Sequence, residues 1–153
     1  MVKKSKVHKE ALKVLEGSSK FKTEVSLLVF KFEKELLEKI LQETKDEASK
    51  GGIFQMAQSN SSIVLIAKDP YAKELYKTFK KDVLEYKKGL AAIVVMSSKK
   101  AVETPGVLNA ILDIFSENKI NLVQLITCYT DITLVIKKDK LFKALDALGL
   151  FMS

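Results

Sequence analysis

Arginine is absent: all 26 basic residues of this 153-residue chain are lysine. Arginine supplies the planar two-pronged contacts to phosphate and guanine that a lysine ammonium does not, so a base-reading nucleic-acid surface is disfavoured. There is one cysteine, Cys128, and one histidine, His8. That excludes a disulfide framework and Cys/His metal spacing, and no histidine-based triad is evident around His8. No apolar run approaches the roughly 18 residues of a membrane span. No apolar segment suited to a signal peptide follows Met1-Val2-Lys3-Lys4-Ser5-Lys6, so a cytoplasmic location is expected. A glycine-rich phosphate loop is missing too. Acidic residues such as Glu35, Glu38 and Glu43 fall on a helix surface without forming a paired acid–base site. We expect no enzyme, no cofactor and no metal.

What is present is a soluble-domain composition, 47% hydrophobic and 29% charged, with a net charge of +7. Seven lysines against Glu10 and Glu16 lie in the first 22 residues, which leaves the rest nearly neutral. Residues 1–22 are therefore read as a basic arm with a short helix over 6–16, carrying Val7, Leu12 and Leu15 on one face. Such an arm suits nucleic acid or an acidic partner. His8 is expected to be exposed and Cys128 to be a buried, inert thiol.

Apolar spacing divides the remainder into strands and helices. Strands are expected at 25–32, 53–58, 63–67, 90–96, 120–128 and 132–136. Helices are expected over about 33–48, from Asp69-Pro70 through Phe79, over 107–117 and over 140–148. Gly51-Gly52, Lys87-Lys88-Gly89 and Asn118-Lys119 read as breaks, Val83–Tyr86 as more helix or a short edge strand, and Leu150-Phe151-Met152 as a last edge strand.

The stretch Thr104-Pro105-Gly106-Val107-Leu108 stands between an apolar strand and a helix. Thr104 suits a helix N-cap and Pro105 the first helical turn. Gly106 permits close approach of another backbone or a ligand. Amide groups at a helix N-terminus suit an anion or carboxylate.

The chain also repeats itself. Residues 53–67 align without a gap on 122–136, an offset of 69 that places Gln55 on Gln124, Ile63 on Ile132 and Leu65 on Leu134. In the preceding helix the offset is 71, setting Leu37 on Leu108, Ile40 on Ile111 and Leu41 on Leu112; in the first strand it is about 66, setting Leu27 on Ile93. Each copy reads β-α-β-β-α, closed by a fourth strand. This gives an α+β fold of two tandem ferredoxin-like (βαββαβ) units with antiparallel sheets and a short N-terminal helix. Boundaries are expected at 1–22 for the arm, 23–88 for the first unit and 89–153 for the second. The loop 97–104 is an insertion of the second copy. Lys31-Phe32-Glu33-Lys34 occupies the equivalent place in the first.

The second copy resembles the ACT domain. A strand is followed by the "PGVL" turn at 105–108, a helix, and Ile120-Asn121-Leu122 opening the next strand. Thr127-Cys128-Tyr129-Thr130-Asp131 is similar to a segment of archaeal ACT proteins related to the regulatory half of aspartokinases. The resemblance covers about 90–148, and more weakly 24–81. Some relatives carry an N-terminal helix-turn-helix-like region, which looks reduced or lost here. The resemblance implies regulatory binding of a small molecule, usually an amino acid, at an interface between ACT units, and control of a partner in amino-acid metabolism. It carries the ligand role to Thr104, Pro105, Gly106, Val107 and Leu108 in the loop and to Asn121 and Leu122 at the strand start. Thr127, Thr130 and Asp131 follow, Asp131 as partner of an ammonium group. Each also has an ordinary structural reading: Asn121 as a loop terminator, Thr127 and Thr130 as strand and turn residues, Asp131 as a turn former. The unmatched first copy implies one type of site per chain. Apolar strands such as 63–67 and 132–136 require cover, so a homodimer is expected. The alternative is a nucleic-acid-binding or transcription-related protein using the same fold and the lysine arm. Deleting residues 1–22 is expected to separate the two.

Overall fold

The structure, a computed structural model, describes residues 6–50 and 53–149. In chain order the elements are α1 (Lys6–Leu15), β1 (Ser19–Lys31), α2 (Lys34–Lys50), β2 (Ile53–Gln58), β3 (Ser62–Ala67), α3 (Tyr71–Thr78) and β4 (Val83–Met96). There follow α4 (Lys99–Glu103), α5 (Val107–Glu117), β5 (Gln124–Cys128), β6 (Asp131–Lys137) and α6 (Leu141–Gly149). Two compact units form, one from Thr23–Leu90, the other from Met1–Lys22 with Ala91–Ser153. Among the described residues no helix is long and apolar enough to cross a membrane.

The unit of residues 23–90 is a complete βαββαβ arrangement with strand order β2-β3-β1-β4. β3 runs antiparallel to both β1 and β2. Its core joins Leu28, Phe30, Ile40, Ile63, Leu65 and Leu75. Phe30 and Phe79 meet edge to face with ring centroids 6.0 Å apart, the arrangement that the ring quadrupole favours.

The other unit sets β4, β6 and β5 side by side in that order. Ile93, Ile111, Phe115, Leu134 and Leu148 form its core, and α1 adds Ala11 and Leu15, both without solvent exposure. Helix α5 ends through a left-handed residue: Lys119 has φ 56°, its amide donates to the Ser116 carbonyl at 3.0 Å, and the Ile120 amide donates to Phe115 at 2.9 Å. Ile120 is consequently buried against the core instead of opening a strand.

The sequence repeat extends to strand register. Gln55 pairs with Ile66, Met56 with Leu65, Ala57 with Val64 and Gln58 with Ile63. Adding 69 to every number reproduces the β5–β6 ladder: Gln124 with Val135, Leu125 with Leu134, Ile126 with Thr133 and Thr127 with Ile132. Side-chain facing has period two, so agreement in register preserves which residues point to each core. In the helices the offset of 71 superimposes buried Leu36 on Val107 and Ile40 on Ile111.

Several expectations are corrected. Lys87-Lys88-Gly89 does not break the chain: β4 runs through it, with Gly89 at φ 68°. Val83–Tyr86 is the opening of that strand, not more helix. β1 starts at Ser19, earlier than expected, and β5 starts only at Gln124 because residues 120–123 complete the helix stop. The inserted 97–104 loop contains the short helix α4. Cys128 is exposed, on the strand at the end of its unit's strand order. His8 is half-buried, its side chain 19% exposed and its Nδ1 3.9 Å from Asp113 Oδ2. Leu41, aligned with Leu112, is 43% exposed. The expected break at Gly51-Gly52 and strand at 150–152 lie outside the described residues.

Candidate functional site

The turn from α4 into α5 differs from the expectation in who caps what. Ser98 caps α4, its hydroxyl accepting from the Ala101 amide at 3.2 Å. Thr104 ends α4 rather than starting α5: its hydroxyl donates back to the Lys100 carbonyl at 2.6 Å. Pro105 follows, outside the helix. The N-cap of α5 is Gly106, left-handed at φ 84°, ψ 0°, with no side-chain cap. Its carbonyl accepts the Ala110 amide at 2.9 Å. The first amides of α5 thus have no carbonyl of their own helix to bond, and no cap side chain from residue 106 competes for them.

The start of α5 borders a cleft of about 350 Å³. One wall is Ala101, Val102 and Thr104 of α4 and its end, with Gly106, Val107, Leu108 and Asn109 from the start of α5. The other is Ser97, Thr127, Tyr129 and Ile132. The second wall is held to the end of β4 because the Ser97 amide and hydroxyl both donate to the Thr130 carbonyl, at 2.9 and 2.6 Å. Tyr129, at φ 52° in the two-residue turn between β5 and β6, is 70% exposed at the rim. None of the lining residues is charged. An ionic ligand group there would meet backbone dipoles, hydroxyls and the Asn109 amide. Asn109 Nδ2 already donates to Asp113 Oδ2 at 3.2 Å.

Of the expected site residues, the cleft brings together Thr104, Gly106, Val107, Leu108 and Thr127. It is not lined by Pro105, Asn121, Leu122, Thr130 or Asp131. Asn121 is exposed, Leu122 packs against the core, and the Asp131 carboxylate lies 3.5 Å from the Thr130 hydroxyl. Ser97, Val102, Asn109 and Tyr129 were not singled out from sequence. Asn109 follows the turn directly and was open to the same argument from helix N-terminal amides. The other three enter through the α4 insertion and the hairpin, where the sequence marked the segments but not these side chains.

Residues 85–149 match the family model of the ACT domain. No match was found among curated protein sequences. The fold is similar to the regulatory subunit of aspartate kinase from Thermus thermophilus, at 14% identity and TM-score 0.71, over 92% of this chain and 99% of that one. It is also similar to part of the aspartate kinases of Clostridium acetobutylicum (16% identity, TM-score 0.69, 88% of this chain) and Synechocystis (12%, 0.72, 93%). The chain spans only 34% and 28% of the length of these two kinases. The likeness is one of fold: two βαββαβ-type units in tandem, as in the Thermus regulatory subunit.

Proposed function

We propose that this chain is a non-enzymatic regulatory module that binds an amino acid in the cleft between the start of α5 and the β5–β6 turn. Through that binding it controls a partner in amino-acid metabolism. The observation that carries the reading is the uncapped N-terminus of α5 opening into a cleft of about 350 Å³ without charged side chains. The ligand carboxylate would bond the first amides of α5, where the helix dipole favours negative charge. Its ammonium would be met by hydroxyl and carbonyl oxygens, with Asp131 as an additional partner from outside the lining. Leu108, 38% exposed, and Val102, 52% exposed, offer apolar surface to the ligand side chain. The name of the Thermus regulatory subunit supports a regulatory role, and we extend the proposal to a homodimer acting in the cytoplasm.

Calorimetric titration with each of the twenty amino acids tests this. At least one is expected to bind the native protein, and Thr127→Arg, which fills the cleft from an exposed strand position, should remove the heat, as should Gly106→Val. Absence of heat with all twenty would overturn the amino-acid reading. Sedimentation with and without the binder tests the dimer.

A further inference from the structure

A second cleft, of about 550 Å³, lies wholly within the unit of residues 23–90 and is lined from two elements. Lys73, Tyr76, Lys77 and Lys80 come from α3 and the turn that follows. Lys73, Tyr76 and Lys77 stand at i, i+3 and i+4, one stripe of the α3 surface with roughly 5–6 Å between neighbouring Cβ atoms, and Lys80 follows in the turn after the helix ends. The facing wall is β4, which contributes Val83 at its first position and then Leu84, Tyr86 and Lys88. The last three are alternate residues and share one face of the strand. Glu85 and Lys87 point the other way and pair with each other at 3.6 Å. Glu74 likewise leaves the stripe and lines a different depression beside Tyr71. The lining therefore holds four lysines and no carboxylate. Among the described residues Lys73, Lys77, Lys80 and Lys88 form no ion pair.

We propose that this cleft binds a compact oligophosphate, either inorganic or the phosphate chain of a nucleotide. Four cations converging on one concavity with no carboxylate in the lining repel one another, and an anion of several charges relieves that repulsion. Lysine serves phosphate as a point charge and does not need the planar fork of arginine. A compact ligand fits better than an extended single strand of nucleic acid. Tyr86 is already stacked on Tyr76, with centroids 4.5 Å apart, and Lys88 Nζ stands 5.3 Å from its ring centre. Neither arrangement leaves Tyr86 open as the stacking platform that strand-binding proteins present to bases.

Inorganic triphosphate, ATP and a single-stranded RNA oligomer, each titrated into the full chain at low and moderate salt, provide the test. Triphosphate is expected to bind, and Lys77→Glu with Lys80→Glu should weaken it at least tenfold. Lys88→Gln, from the opposite wall and without charge reversal, should weaken it severalfold. Lys39→Glu with Lys45→Glu, the same charge change on exposed α2 positions, should leave it within twofold. ATP binding equal to triphosphate means that phosphates alone are recognised; tighter ATP binding identifies a nucleotide, and both support the site. No triphosphate binding at millimolar concentration overturns the proposal. So does equal weakening by the α2 pair, or RNA binding that tightens with oligomer length and exceeds triphosphate. Circular dichroism of every variant confirms that the fold is retained.

Discussion

Val7 and Gly106 are in contact: a Cβ built on Gly106 would stand 3.1 Å from Val7 Cγ1. The close approach that the glycine permits is therefore used by α1. Ala11, one helical turn further along α1, would also lie 3.9 Å from that Cβ, so α1 packs directly on the turn that opens α5.

Gly106→Ala should accordingly be destabilising on two grounds. A left-handed conformation costs an L-residue about 1–2 kcal/mol, and the new methyl group must displace Val7. We expect a loss of about 2–3 kcal/mol in urea unfolding, partly recovered by adding Val7→Ala. Gly89→Ala provides the comparison: φ is 68° but nothing lies within 4 Å of the new Cβ, so only the conformational cost of about 1 kcal/mol should appear. Equal losses at the two glycines would contradict the α1 contact.

Leu15 is fully buried in the core of the second unit although it belongs to the N-terminal helix. Leu15→Ala should cost about 2–4 kcal/mol, as for other core leucines. Lys13→Ala, on the exposed face, should stay within about 0.5 kcal/mol. For the same reason deletion of residues 1–22 would remove core as well as lysines. Charge reversal at Lys9 and Lys13 is the cleaner test for an electrostatic role of this segment.

Cys128 is exposed. A maleimide reagent should label the native protein at a rate within severalfold of that in denaturant, and Cys128→Ser should change stability by less than about 0.5 kcal/mol. Protection of the thiol by orders of magnitude in the native monomer would show that this surface is covered.

Tyr71 is pushed up from 10.0 to about 12, chiefly by burial and then by the nearby carboxylates Glu47, Glu43, Glu74 and Asp46. Its hydroxyl also donates to the Glu43 carbonyl at 3.4 Å. The folded state thus keeps this proton to higher pH than the unfolded chain does. Its contribution to stability is complete below about pH 10 and falls away as pH rises toward 12. Unfolding free energy measured across that range should decline less steeply in Tyr71→Phe than in the native sequence. Identical slopes would remove Tyr71 as the cause.

Much of the fold was legible in the residues because it is written locally. An apolar run, with Met56 out of step with strict alternation, marked Ile53–Gln58, and helical spacing marked Val107–Glu117, each with the bounds found in the structure. The offset of 69 between Gln55 and Gln124 anticipated two hairpins of identical register, since register follows from which side chains must face inward. The cleft was half legible. Thr104, Gly106, Val107 and Leu108 are contiguous and lie at the helix start, so one motif identifies them. Tyr129 and Ser97 reach the same cleft only because the β5–β6 turn is hydrogen-bonded to the end of β4. Thr104 was misjudged as a cap of α5 because a threonine before proline suits either helix end, and the competing bond to Lys100 exists only once α4 forms.

By itself, the sequence determined the two-copy plan, the kind of each principal element and the strand registers, because dihedral preference and side-chain periodicity act over a few residues. Tertiary structure decided which surfaces meet. Packing placed α1 against Gly106, exposed Cys128, gathered the uncharged cleft at α5 and turned four separate lysines toward one concavity. Those outcomes depend on where distant segments come to rest, and chain periodicity carries no record of that.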